Sequence, residues 1–261
     1  MVTEQGSDGA RLEAADAQVS VLTLDRPAKL NALDDATAER ILVLLDEVAV
    51  SDARVLIVTG AGRGFCAGFD LALAATVATE GDETSGWMRR QERYASLVTK
   101  LRAIPQPTIA AVNGPACGAG FGLALACDVR IAAQSARFNS AFIKVGMSSC
   151  DIGVSYLLPR AIGTTRAFEL MLTGRMVEAE EAERLGIVSD VVEDDALGVR
   201  ARTLAREIAG NGALAVWMTK RGLWANLEAG SLAAALELEN RTQILMRGTG
   251  SLESRARARG F

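Results

Sequence analysis

Two glycine-containing turns, at residues 60–71 (GAGRGFCAGFDL) and 113–128 (NGPACGAGFGLALACD), each join a strand-like stretch to a helix-like one. Glycine permits positive φ and close backbone approach, so successive N–H groups in such turns can point outward at a helix start. The helix end adds roughly half a positive charge. It can hold a phosphate or a developing oxyanion. GAGRG also resembles a dinucleotide fingerprint, but FCAGFDL displaces the helix start and no acidic residue follows at the expected distance. There is no GxxxxGK[ST] match either. The sequence has no histidine. That removes Ser-His-Asp and Cys-His nucleophiles, imidazole metal sites and histidine bases together. Proton transfer falls to carboxylates, Lys, Tyr, Cys or water. Cys66, Cys117, Cys127 and Cys150 show neither metal-ligand spacing nor the density of a disulfide scaffold, and read as reduced thiols of a cytoplasmic protein.

The elements that must position these turns follow from the apolar pattern. With 261 residues, 49% hydrophobic and 23% charged, the chain suffices for one large α/β domain or one core domain with a helical appendage. A net charge of −4 without a long basic run gives no nucleic-acid footprint. No stretch approaches about 18 uninterrupted apolar residues, so no membrane span is expected. Residues 1–18 lack the charged-then-apolar order of a signal segment and read as a polar lead-in. Strands are expected at 19–24, 55–59, 108–112, 128–133 and 188–192. Asp34 or Asp35 can cap a helix to about residue 50, with Ile41, Leu44, Leu45 and Val48 at helical spacing. A polar loop at 76–86 opens a helix that Pro105-Gln-Pro107 breaks near residue 104. Further helices are expected at 121–126, 155–162, 166–172, 179–185, 197–210, 214–226 and 232–245. Strand, turn and helix recur to about residue 150 and helices dominate after it. That divides the chain into an α/β core over 19–195 and a helical region over 196–261.

DRPAKLNAL, FCAGFDL, PTIAAVNGPACGAGFGLALACD and LTGRMVEAEEAERLGIVSDVV resemble, in order and spacing, blocks of the crotonase (enoyl-CoA hydratase/isomerase) superfamily from about Val19 to at least Val192. The resemblance implies a right-handed spiral of repeated β-β-α turns with a helical C-terminal trimerisation region. The assembly would be a homotrimer or a dimer of trimers. It implies an acyl-CoA thioester substrate whose enolate is stabilised by an oxyanion hole. No metal and no resident cofactor are implied, since coenzyme A enters as part of the substrate. Carried over position by position, the oxyanion donors are the backbone N–H groups of Phe69 and Ala119, where relatives commonly have glycine at the second. Ala67, Gly68, Asp70 and Gly118 frame those donors, with Asp70 also placed to cap the helix after the first loop. Ala28 and Lys29, in Pro27-Ala-Lys29, match the loop that brackets coenzyme A. Arg255, Arg257 and Arg259 either approach its 3′-phosphate or are solvated.

The sequence departs from the superfamily at the two glutamates that hold water in its hydratases. Gly122 stands at the first, and Phe142 or Ile143 at the second, depending on a one-residue offset. None of these can do acid/base work. Asp151, in CDIGVSYLLPR, matches a catalytic aspartate of the dienoyl-CoA isomerase and 4-chlorobenzoyl-CoA dehalogenase branches. Phe142, Ile143, Ile152 and Val154 would desolvate it; the alternative is that Asp151 caps the helix that starts near Ser155 or closes a turn. Asp128 reads as structural. Enoyl-CoA hydratase is the family-level label, with an enoyl- or dienoyl-CoA isomerase using Asp151, or an acyl-CoA-binding relative without turnover, as alternatives.

Overall fold

The computed structural model describes residues 9–72, 83–250 and 256–257. Its main sheet has six strands in the order β1 (Ala10–Ala14), β2 (Val19–Leu24), β3 (Val55–Gly60), β4 (Thr108–Val112), β6 (Val129–Ala133), β9 (Val191–Val192). All pairs are parallel except β1–β2. A second sheet holds β5 (Pro115–Cys117), β7 (Arg137–Asn139) and β8 (Val177–Glu178). Two isolated parallel bridges, Leu33 to Phe69 and Cys66 to Ala116, lie in the corresponding stretches after β2 and β3. Each early repeat therefore runs from a main-sheet strand, through a short bridged or extended segment, to a helix. The helices are α1 (Asp35–Val50), α2 (Glu83–Ala103), α3 (Ala119–Ala126) and α4 (Val154–Ile162). This is the β-β-α repeat that the resemblance implied.

Local chemistry accounts for the elements. Asp34, not Asp35, caps α1 by accepting the Thr37 N–H at 2.8 Å, and Ile41, Leu44, Leu45 and Val48 are all buried. Every residue of α3 is buried, so its Ala- and Gly-rich sequence serves close packing. The later helices are α5 (Thr164–Thr173), α6 (Ala179–Leu185), α7 (Leu197–Ala209), α8 (Ala213–Asn226) and α9 (Leu232–Arg247). Ala201, Ala205 and Ala209 seat α7 on the main sheet, whereas α9 has no buried residue.

Several expectations are corrected. Residues 10–14, read within the polar lead-in, form β1, tied by Arg11 to Asp25 at 2.7 Å. Within the expected loop at 76–86, residues 83–86 already belong to α2 and 76–82 lie outside the described residues. Residues 113–122 contain β5 and the start of α3, not a turn throughout. Of 188–192, only 191–192 pair as a strand.

Candidate active site

The two glycine turns meet backbone to backbone. The Phe65 and Cys66 N–H groups both donate to the Pro115 carbonyl, at 3.1 and 3.0 Å, and the Cys117 N–H returns to the Cys66 carbonyl at 2.9 Å. Gly68 has φ 95°, and a Cβ there would lie 2.7 Å from the Cys117 oxygen and 3.3 Å from the Ala119 nitrogen. Glycine is required at this junction. The GAGRG run is a packed turn. Asn31 donates to the Gly64 carbonyl at 2.7 Å, and Asn113 to those of Gly60 and Gly62 at 2.9 Å each.

Two N–H groups are left over where the loops adjoin. The Leu33 N–H donates to the Gly68 carbonyl at 2.7 Å, and the Asp70 N–H to the Leu33 carbonyl at 2.8 Å. These bonds skip Phe69, whose N–H has no acceptor among the described residues. Ala119 is the first residue of α3, where an N–H has no intrahelical partner. Its neighbour Gly118 donates to the Asn139 carbonyl at 3.0 Å, and Gly122 donates to that of Gly118 at 3.1 Å. The Phe69 ring is gripped edge-on by Tyr94, 5.4 Å between centroids, beside Arg90, which pairs with Asp35. Ala67 is half-buried between the donors' loops, while Asp70 is buried and tied to Arg26 at 3.2 Å. Asp70 also accepts the Ala72 N–H at 3.2 Å, and Arg26 holds Asp34 at 2.9 Å. Arg26 and Asn31 thus brace the first loop from within DRPAKLNAL, a role not read from sequence.

Asp151 is half-buried. Its Oδ1 accepts the Ile152 N–H at 2.7 Å and the Gln91 side-chain amide from α2, and among the described residues its Oδ2 has no donor. The residue capping α4 is Gly153, with no side-chain bond, so the Asp151 carboxylate does not cap that helix. Ile152 and Val154 are buried beside it, but Ile143 is exposed and turns toward Gly174. Phe142 is the inward residue of the two alternatives: its ring would stand 3.6 Å from a Cβ on Gly118. Gly122 does not leave open space, because a Cβ there would lie 2.5 Å from Ile152 Cγ2 and 2.9 Å from the Ile152 carbonyl oxygen. Nothing in the sequence singles out Gln91.

Burial removes other proton carriers. Desolvation pushes the Cys66 thiol up to about 12 and the Cys117 thiol up to about 11, and raises the Tyr94 phenol above its ordinary range. Those thiols are protonated at neutral pH and are poor nucleophiles. Asp128 instead accepts the Thr108 N–H at 2.7 Å and the Trp224 indole at 2.6 Å, and pairs with buried Lys220 at 3.0 Å. It is structural, as read from sequence. Ala28 and Lys29 are exposed on the 3₁₀ turn Pro27–Lys29, against the GAGRG loop. Arg257 is exposed; Arg255 and Arg259 lie outside the described residues. A cleft of about 1000 Å³ lies between α8 and the core and another of about 710 Å³ runs along α8 and α9, and neither is lined by Phe69, Ala119 or Asp151. The two loops thus leave the Phe69 and Ala119 N–H groups without backbone acceptors among the described residues, and the Asp151 carboxylate is held by the Ile152 N–H and by Gln91 of α2.

The spiral and its paired loops define a crotonase-type enzyme. Residues 14–253 match the family model described as enoyl-CoA hydratase/isomerase. A protein of Mycobacterium bovis named "Probable enoyl-CoA hydratase" is 42% identical over 233 residues, 88% of this chain and 82% of that one. The 1,2-epoxyphenylacetyl-CoA isomerase of Escherichia coli is 40% identical over 228 residues, 87% of this chain and 86% of that one. A crystal structure of a probable enoyl-CoA hydratase/isomerase from Mycobacterium abscessus superposes with TM-score 0.87 at 36% identity, covering 96% of each chain. The chain belongs to the enoyl-CoA hydratase/isomerase family and acts on acyl-CoA thioesters.

Proposed function

We propose that the chain is a double-bond isomerase of acyl-CoA thioesters, with Asp151 as its acid/base and the N–H groups of Phe69 and Ala119 as its oxyanion hole. The observation that carries this reading is Ile152 seated on Gly122, with Phe142 against Gly118. Apolar atoms fill the positions where the resemblance puts water-holding glutamates, and Asp151 stands beside them. On a β,γ-unsaturated thioester, the Asp151 carboxylate takes the proton from Cα. The electron pair moves onto the thioester oxygen, held by the two N–H groups. The resulting carboxylic acid then protonates Cγ, leaving the double bond between Cα and Cβ. No atom is gained or lost. Each N–H strengthens as charge builds on oxygen, and loss of one such donor elsewhere costs about 10²–10³ in rate.

Ala67, Gly68, Gly118, Gly122 and Phe142 would line the acyl end, and Ala28 and Lys29 the coenzyme A end. The reaction requires only the protein's own groups, with coenzyme A arriving on the substrate. The reading places the enzyme in the cytoplasm as a homotrimer or dimer of trimers. Support comes from the four free thiols and the exposed apolar residues of α8 and α9. Hydration is the second reading, favoured by the relative named as a hydratase. Mass spectrometry of product from a panel of β,γ-enoyl-, dienoyl- and α,β-enoyl-CoA thioesters separates them. Isomerisation leaves mass unchanged and, in D₂O, introduces deuterium; gain of one water on α,β-enoyl-CoA identifies hydration. No reaction and no Cα exchange would leave a binding protein and sink both.

A further inference from the structure

Ile152 is a β-branched residue at φ 40°, a conformation that such side chains avoid. It is also buried, which rules out a loosely placed surface loop. Backbone strain of this kind persists only where the surroundings over-determine it, and it gathers at working sites. Here the determinants are visible. The Ile152 side chain and carbonyl occupy the space a Cβ on Gly122 of α3 would need, at 2.5 and 2.9 Å, and Gly153 follows at φ 79°. The turn that results brings the Ile152 N–H onto Asp151 Oδ1 at 2.7 Å, and Gln91 of α2 adds a second donor to that same oxygen.

We infer that Ile152 and Gln91 are positioning residues that aim the Asp151 carboxylate. Ile152, wedged on Gly122, fixes the turn, and the two donors on Oδ1 leave Oδ2 to meet the substrate proton. This rests on the reading of Asp151 as the base. α2 and α3 then act from two sides on one carboxylate, and α3 also begins at Ala119. A shift of the turn along α3 changes the distance between proton acceptor and oxyanion donors. Misplacement of a reacting group by about 1 Å costs on the order of 100-fold. Gly122 and Ile152 are a matched pair, because a side chain at either position is possible only if the other yields.

The test uses the full-length protein and β,γ-enoyl-CoA, or whichever panel thioester it turns over, with kcat, KM and Cα deuterium exchange measured for each variant. Ile152→Gly removes the wedge and accepts the backbone angle without strain. Gly122→Ala places a methyl group against Ile152 Cγ2. Each is expected to lower kcat and the exchange rate together by about 10–100-fold with KM within about threefold. The double variant Gly122→Ala/Ile152→Gly is expected to recover part of the activity lost in Gly122→Ala, since the 2.5 Å clash with Cγ2 has gone while the 2.9 Å approach of the residue 152 carbonyl remains. Gln91→Ala, at an exposed position, is expected to lower kcat with the same KM pattern, and Gln91→Asn to recover less than Gln91 itself. If Ile152→Gly and Gln91→Ala both retain wild-type kcat and exchange, the inference fails. An additive double variant, with no recovery, overturns the matched pair. Variants that lose thermal stability are read by exchange per folded molecule, and equal loss of KM and kcat would mark a merely structural role. Asp151→Asn serves as the separate control: full activity there sinks the base, whatever Ile152 does.

Discussion

A proton must leave and return during isomerisation, and in a chain without histidine few groups can carry it. Asp151→Asn preserves shape and removes the carboxylate proposed as the base, so turnover should fall by about 10²–10⁴ while acyl-CoA affinity changes little. Kinetics alongside a binding isotherm check this, and near-normal turnover would point to another group. The thiols give a second residue-scale expectation. Burial holds Cys66 and Cys127 up at about 12 and Cys117 at about 11, whereas Cys150 is exposed. At pH 8, native protein should take up one iodoacetamide per chain, at Cys150, and unfolded protein four. Early labelling at Cys117 in the native state would contradict the burial assigned to it. As a candidate base, Asp151 could be singled out in the sequence by elimination and by its place in CDIGVSYLLPR. Gln91 was not, because a polar residue on an exposed helix face carries no signal of what it meets across space. The strain at Ile152 was equally hidden: side-chain type says little about φ when tertiary packing imposes it.

At the scale of elements, two loops must be held at contact distance for the Phe69 and Ala119 N–H groups to adjoin. Gly68→Ala places a methyl group 2.7 Å from the Cys117 oxygen at φ 95°, so the loops must separate. Activity should fall by about 10²–10³, as when an oxyanion donor is lost, with the circular dichroism spectrum unchanged. Gly120→Ala pushes on the Cys66 carbonyl, 2.1 Å from the added carbon, and should act in the same direction. Wild-type rates in Gly68→Ala would mean the junction does not set the donors. Long elements with clear periodicity, such as α1 with its Ile41, Leu44, Leu45 and Val48 stripe, were readable from sequence. The second sheet was not. Its strands are three residues or fewer, too short for a period-two pattern, and β5 lies inside a glycine-rich run. β1 was missed because ARLEA is half polar, as an edge strand can be when its partner supplies the hydrogen bonds.

Besides α7 on the main sheet, the two regions of the molecule are joined by Asp128, which follows α3 and receives Trp224 and Lys220 from α8. Lys220 also donates to the Leu101 and Gln106 carbonyls, at 3.1 and 2.9 Å, so its ammonium is buried but fully met. Lys220→Met would leave Asp128 and two carbonyls short of a donor, at a cost of about 3–5 kcal/mol seen as a lower denaturation midpoint. Beyond that tether, α9 has no buried residue although Leu232, Leu236, Leu238, Ile244 and Leu245 all lie on it. Helices gain most of their stability in proteins from packing an apolar face, and a single copy gives α9 little to pack on. Exposed α8 residues Leu214, Trp217 and Leu223 enlarge the same uncovered region. The expectation is that other copies of the chain cover it in a closed ring. Sedimentation at micromolar concentration should give three or six times the 27.5 kDa of the chain. The double substitution Leu236→Glu/Ile244→Glu tests the surface itself. Both side chains are exposed in one copy, so in a monomer the change should cost no more than about 0.5 kcal/mol per site. Buried between copies, two carboxylates per chain would split the assembly into monomers while the α/β core stays folded. A wild-type protein that sediments as a monomer, or a double variant that keeps the full assembly, would show that α9 is not where the copies meet.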